Sequence, residues 1–255
     1  MIIRNYIKIA FIRLSSLFYA RNKSKVIFYH DIHNCKQYTN MSTPIELFKK
    51  HINIIRESGY EIVNEITEKY GQIEICFDDA FLGLYDNIEL IKEQNISIHL
   101  FVISSFLENK NHINKEQLIA LNKLSQIRIS SHTHTHQILN EISELQIVDE
   151  LAISKDILQT LLNTSVKSIC YPEGKFCNKV IELAKKQGYE KQYSSLPGFY
   201  FNEFSNGVKR KPTINELKSL QSFPNDFQLE GSYSQKYGLI GNSVPPNLTK
   251  KLGQS

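Results

Sequence analysis

The sequence predicts an α/β fold built on a parallel sheet or barrel, and three observations predict it. Five short runs rich in β-branched and aromatic residues read as strands: KVIFYH (25–30), IEICF (73–77), ISIHLFV (96–102), IRISS (127–131) and VKSICY (166–171). Longer stretches between them carry helical patterns, and strand–helix alternation is how a parallel sheet is crossed over. Ionisable or turn-forming residues follow directly on four of the five runs, at the strand ends where such folds assemble their sites.

Taken in order, the first segment, 1–24, is apolar but interrupted by Arg4, Lys8 and Arg13. It offers neither a signal-peptide core nor an uncharged span of about 20 residues. A packing helix and a membrane-surface association are both compatible with it, and the expected location is cytoplasmic or peripheral to the cytoplasmic membrane. After the first strand, TPIE marks a helix start, with Thr43 as cap, Pro44 in the first turn and Glu46 completing a capping box; the helix runs through Leu47, Ile52 and Ile55 to Gly59. Further helices are expected at 84–94, 114–124, 143–162 and 177–187, the last stopping at Gly188.

The whole, 255 residues with 41% hydrophobic and 22% charged residues, suits one large α/β domain with a small appendage. The net charge of +4 is dispersed and argues for no anionic partner, so no nucleic acid is expected. Cys35, Cys76, Cys170 and Cys177 show no paired CxxC spacing and read as free thiols.

The chemistry-bearing residues sit where the strands end. His30, Asp78 with Asp79, His132 with His136, and the YPEG turn (171–174) each follow a predicted strand. In SSHTHTHQIL, His132 and His136 are four apart, so a helical turn or a tight loop brings both imidazoles to one ion while His134 points away. A catalytic zinc site takes three protein ligands, and a carboxylate of CFDDAF can supply the third. The Asp pair at a strand end points to opposite sides, leaving one carboxylate to hold the ion and the other to take a proton from water. His30 can donate a proton to a leaving amine, and metal-assisted amide hydrolysis is the chemistry these groups suit. Each element alone has a plainer reading: a polar loop for the histidines, a cap for the aspartates, a hydrogen-bonded core residue for His30.

In the order IFYHD, ICFDDAF, SHTHTH and CYPEGKF, the chain resembles the polysaccharide deacetylases, the carbohydrate esterases with the NodB homology domain, over about residues 22–210. It is most similar to their circularly permuted branch, typified by poly-N-acetylglucosamine deacetylases, in which the usually last His motif stands near the start. The resemblance implies a distorted (β/α) barrel of NodB-homology type and hydrolytic removal of acetyl groups from an acetylated glycan. It implies Asp78 as general base and His30 as general acid, with Asp79, His132 and His136 binding a divalent metal, Zn2+ in first place. Glu173 and Gly174, after Tyr171, correspond to the pocket motif whose backbone N–H meets the oxyanion. Thr133 orients a ligand histidine, and Arg210 either reaches the base carboxylate or belongs to a solvated basic turn with Lys209 and Lys211. Three departures stand out: Ala80 replaces the usual Gly, Glu173 stands where an aromatic residue is common, and the chain has no Trp.

The last residues differ in kind. Residues 213–252, with LQSFP and GNSVPP, resemble the C-terminal end of cytosine-5 DNA methyltransferases, but no Pro-Cys nucleophile or glycine-rich βα turn accompanies them. The expected organisation is therefore 1–24, a deacetylase domain at 25–210 and an appended tail at 211–255. Two other functions compete with the hydrolase: a catalytically impaired glycan-binding protein, and an accessory subunit of DNA methylation acting through the tail.

Overall fold

The structure is a computed structural model that describes residues 23–195. Seven parallel strands form the main sheet: β1 (Lys25–Tyr29), β4 (Glu61–Val63), β5 (Gln72–Phe77), β6 (Ile98–Val102), β7 (Ile127–Ser131), β8 (Ser168–Cys170) and β9 (Lys191–Tyr193). β2 (Asp31–His33) and β3 (Ser42–Pro44) pair separately. The helices are α1 (Ile45–Glu57), α2 (Leu82–Asp86), α3 (Ile88–Glu93), α4 (Lys115–Asn122), α5 (Glu144–Leu162) and α6 (Asn178–Lys186). The sheet runs β1-β5-β6-β7-β8-β9, and β4 and β6 share one edge of β5, at residues 72–74 and 75–77 respectively. With β1 and β9 as its ends, the expected barrel is a curled, open half-barrel.

Period-two alternation splits each strand between two environments. Ile73, Ile75 and Phe77 of β5 join Ile98, Leu100 and Val102 of β6 in the main core, against Phe48, Ile52 and Ile55 of α1 and Leu151 and Leu158 of α5. Each such fully buried side chain contributes about 1.5–3 kcal/mol. The alternate positions face inward: Cys76, Phe101, Cys170 and Tyr193 make a small second cluster. Beside it Glu74 accepts from His99 Nδ1 at 2.5 Å and from the Tyr193 hydroxyl at 3.0 Å, while His99 Nε2 meets Ser130 Oγ at 2.7 Å. Lower still, Glu65, just past β4, pairs with Arg128 of β7 at 2.6 Å and with Lys191 of β9. Side chains thus tie the curled sheet together across its concave face.

The five strands read from sequence are all present; β2, β3, β4 and β9, three residues each, lie outside the longer apolar runs that mark the others. Two helix expectations need correction. Thr43 lies in β3 and caps nothing: Pro44 is the N-cap of α1, no side chain caps the helix, and Glu46 instead pairs with Lys49 at 3.0 Å. The helix expected at 84–94 is two, because Asn87 (φ −115°) leaves helical geometry and its amide donates to the Gly83 carbonyl at 2.7 Å. By contrast α4 and α5 start on full capping boxes, Asn114 with Gln117 and Ser143 with Gln146. Segment 1–24 falls almost wholly, and Arg210 and 211–255 wholly, outside the described residues. Among the described residues no helix is long and apolar enough to cross a membrane.

Candidate metal and catalytic site

At the C-terminal ends of β1, β5, β7 and β8 the chain delivers His30, Asp78 and Asp79, His132, and the 171–174 turn to one place. Alternation aims Asp78 inward along β5, and its N–H donates to the Tyr29 carbonyl at 2.9 Å, extending the β1–β5 ladder by one residue. The opposed aspartates of the sequence reading are not what forms. Asp79 (φ 69°) and Ala80 (φ 58°) both turn left-handed, so the chain leaves the strand and Asp79 swings back toward the histidines. Ala80 holds that conformation at a cost of about 1 kcal/mol against glycine.

Asp79 Oδ1 stands 3.4 Å from His132 Nε2 and 3.5 Å from His136 Nε2. His136 is the most open of the three, its side chain 30% exposed against 4% for His132 and 11% for Asp79. The loop between the histidines reverses through two more left-handed residues, Thr133 (φ 67°) and His136 (φ 63°). Thr133 Oγ1 accepts from the His136 N–H at 3.1 Å, and the Thr133 N–H donates to Ser131 Oγ at 3.1 Å. His134 turns away, its Nδ1 at 2.8 Å from Ser104 Oγ.

Whether these residues suit a cation is decided by their own bonding. His132 Nδ1 lies 2.8 Å from the Cys170 carbonyl, an acceptor only, so Nδ1 carries the proton and Nε2 presents its lone pair to Asp79. Asp79 Oδ1 and Asp78 Oδ1 are both buried without a hydrogen-bond partner among the described residues. Two ligands each about 2.05 Å from one tetrahedral ion stand about 3.3 Å apart, close to both separations from Asp79. Electrostatics agree. Burial disfavours charge on His132, but Cys170, Asp79 and Asp78 outweigh it and raise its pKa well above the ordinary histidine value. Two buried carboxylates call for positive charge beside them. The residues fit a divalent cation.

The two aspartates are pushed apart. Burial raises the Asp78 carboxyl above the ordinary range, Asp79 adding to this and His132 and His30 opposing it. Burial acts the same way on Asp79, yet His132, with His136 and His30, outweighs it and holds the carboxyl below the ordinary range. Asp78 is thus the better proton acceptor and Asp79 the better ligand. His30 is half-buried, edge-on to Phe28 at 5.8 Å and within electrostatic reach of both aspartates.

In the 171–174 turn the hydrogen bonds come from Gly174 N–H to the Tyr171 carbonyl (2.8 Å) and Lys175 N–H to the Pro172 carbonyl (3.1 Å). Gly174 is therefore spent within the turn, and the Glu173 amide is the one the turn leaves unused. Tyr171 also does not offer its phenol to the site: the hydroxyl donates to Gln192 at 2.7 Å and the ring stacks on Phe176. The Glu173 side chain is exposed at the rim, paired with Lys175 at 2.9 Å and acting electrostatically on His136.

Sequence reasoning passed over two contributors. Cys170 supplies the carbonyl that fixes His132, and its thiol, pushed up to about 11 by burial and by Asp78, stays neutral beside the aspartates. All four cysteines are free, as expected. Glu150, a carboxylate on the core-facing stripe of α5, binds the histidine loop; that misplaced charge was the legible signal.

A family model described as polysaccharide deacetylase matches residues 66–191. YxkH of Bacillus subtilis is 25% identical over 187 residues, 69% of this chain and 66% of its own length, so the chain spans just under two thirds of that relative. The Streptococcus pyogenes deacetylase PplD, solved in complex with acetate, shares the fold with a TM-score of 0.58 at 21% identity, covering 66% of this chain and 82% of that one. A separate short match, 45% identical over 49 residues, joins 19% of this chain to 14% of the type II methyltransferase M.AplI of Arthrospira platensis.

Proposed function

We propose that this chain, whose residues 66–191 match the polysaccharide deacetylase family model, is a metal-dependent hydrolase removing N-acetyl groups from an amino sugar of a polysaccharide or its precursor. The observation that carries the reading is the meeting of Asp79, His132 and His136, whose ligand atoms lie within 4.8 Å of one another although up to 57 residues separate them in sequence. These three would hold the ion, with Zn2+ favoured by two imidazoles and one carboxylate. A divalent ion there supplies Lewis acidity, polarising an acyl oxygen and acidifying nearby water.

The chain's own groups do the rest. Asp78, with its basicity raised by burial, takes the proton of the attacking water. The Glu173 N–H, left free by the turn, donates to the oxyanion as it develops. His30, across the site on β1's end, protonates the departing sugar amine. The Thr133 hydroxyl keeps the His136 backbone in its left-handed turn and so keeps the imidazole on the ion.

The test is acetate release from N-acetylglucosamine oligomers by the full chain, before and after chelation and with Zn2+ restored. Chelation should abolish release and Zn2+ return it. Asp78→Asn should lower turnover about 10²–10⁴-fold with the metal content unchanged. Full activity in the chelated protein, or an active Asp78→Asn, would overturn the proposal.

A further inference from the structure

The histidine loop of residues 131–136 is unusual in being tied to a helix by polar groups placed on that helix's core-facing stripe. Along α5 the buried positions are Ile147, Glu150, Leu151, Ser154, Leu158 and Leu162, spaced three and four apart as an amphipathic stripe requires. Two of the six are polar, and they are one turn apart. Glu150, only 5% exposed, accepts the His134 N–H (2.9 Å) and the Thr135 N–H (2.8 Å) on Oε2, and the Thr135 hydroxyl on Oε1. Ser154, fully buried, shares a hydrogen bond with Ser131 at 2.7 Å, and Ser131 Oγ in turn accepts the Thr133 N–H.

Burying a carboxylate is costly unless it is fully hydrogen-bonded, so a stripe that keeps one there is spending it on something. What it holds is a segment whose Thr133 and His136 both sit at positive φ, a conformation non-glycine residues leave unless the surroundings fix them. The three donors on Glu150 belong to the two residues between Thr133 and His136. The carboxylate therefore pins the middle of the reversal, and the reversal sets the separation of His132 and His136.

We propose that Glu150, assisted by Ser154, is a positioning residue for the metal site: it does not touch the ion or the substrate, but fixes the loop so that the two imidazoles arrive preorganised around Asp79. The idea rests on the metal-dependent reading above as far as the ion is concerned, while the clamp itself is a statement about two backbone amides.

Both parts can be read in one set of variants of the full chain. Amide hydrogen exchange reports the clamp without metal: Glu150→Ala should expose the His134 and Thr135 amides, raising their exchange at least 10-fold while the β5 and β6 amides keep their protection. Zn2+ affinity, measured by competition with a chromophoric chelator, should fall about 10–100-fold in the same variant. The Co2+ absorption spectrum should shift from that of the parent, which a purely structural loss would not produce at temperatures where the variant stays folded. Glu150→Gln, which keeps one acceptor oxygen, should fall between the two. Thr135→Val, an exposed position that loses the Oε1 contact and the bond accepted from the Gln137 amide but keeps both backbone bonds to Oε2, should stay within about 3-fold of the parent in affinity. If Glu150→Ala folds and keeps both amides protected, or keeps the parent's Zn2+ affinity and Co2+ spectrum, the clamp is overturned. If Glu150→Ala does not fold, Glu150→Gln decides by the same readouts. Failure of the parent itself to bind Zn2+ or Co2+ would sink the metal reading instead, and the amide exchange would still settle the clamp.

Discussion

Gly174→Ala, set against Gly59→Ala, tests how tightly the turn carrying the Glu173 amide is built. Both glycines are left-handed, Gly174 at φ +65° and Gly59 at φ +77°, so both alanines carry the same backbone penalty of about 1–2 kcal/mol. Their surroundings differ. A Cβ on Gly59 meets nothing within 4 Å, whereas one on Gly174 would stand 2.0 Å from Ser195 Oγ, 2.9 Å from Ser195 Cβ and 2.7 Å from Ser195 N. The hydroxyl can rotate away, but the backbone nitrogen cannot, so the turn or the segment after β9 has to move. Overpacking of that kind adds about 1–3 kcal/mol. At roughly 2–4 °C per kcal/mol for a chain of this size, Gly59→Ala should lower Tm by about 2–8 °C and Gly174→Ala by a further 2–12 °C or so. Thermal unfolding followed by far-UV circular dichroism measures both. Ser195→Gly in the Gly174→Ala background should recover only part of the difference, since the contact with the nitrogen persists. Equal losses at the two glycines would refute the close approach, and with it the view that this turn is held rigid.

Two further outcomes follow from the buried polar groups. Tyr193→Phe keeps the ring against Phe101 and His99 but removes the hydroxyl from Glu74; it should cost about 1.5–3 kcal/mol in urea unfolding, more than Tyr189→Phe, whose hydroxyl meets neutral groups, the Leu151 carbonyl and the Ser131 and Ser154 hydroxyls. The reverse order would count against Glu74 as the charged centre of the inner face. Burial holds His51 below the ordinary histidine value, so as pH falls through 6.5 the unfolded chain takes up that proton first; the stability present above pH 6.5 is lost below it. Urea midpoints between pH 7 and 5 should therefore decline less steeply in His51→Gln than in the parent, and identical slopes would dispose of the assignment.

What the sequence determined by itself was whatever has a local signature. Five strands show because they lie in short runs rich in β-branched and aromatic residues, and α4, α5 and α6 show by their helical patterns, the last with its stop at Gly188. His30, Asp78, Asp79, His132 and His136 were legible as candidates because each follows a strand end, and strand ends of a parallel sheet share one face. The tertiary structure decided everything that depends on direction or on partners distant in the chain. Left-handed turns at Asp79 and Ala80 put both aspartates in one site, which strand alternation would forbid. The Gly174 amide is spent inside its own turn, whereas the Glu173 amide bonds no other described residue. His132 owes its tautomer to a carbonyl 38 residues away, and the histidine loop owes its shape to Glu150 on the next helix. Propensity and period act within a few residues, whereas the geometry of a site is set by hydrogen bonds between segments that only the packed fold brings together.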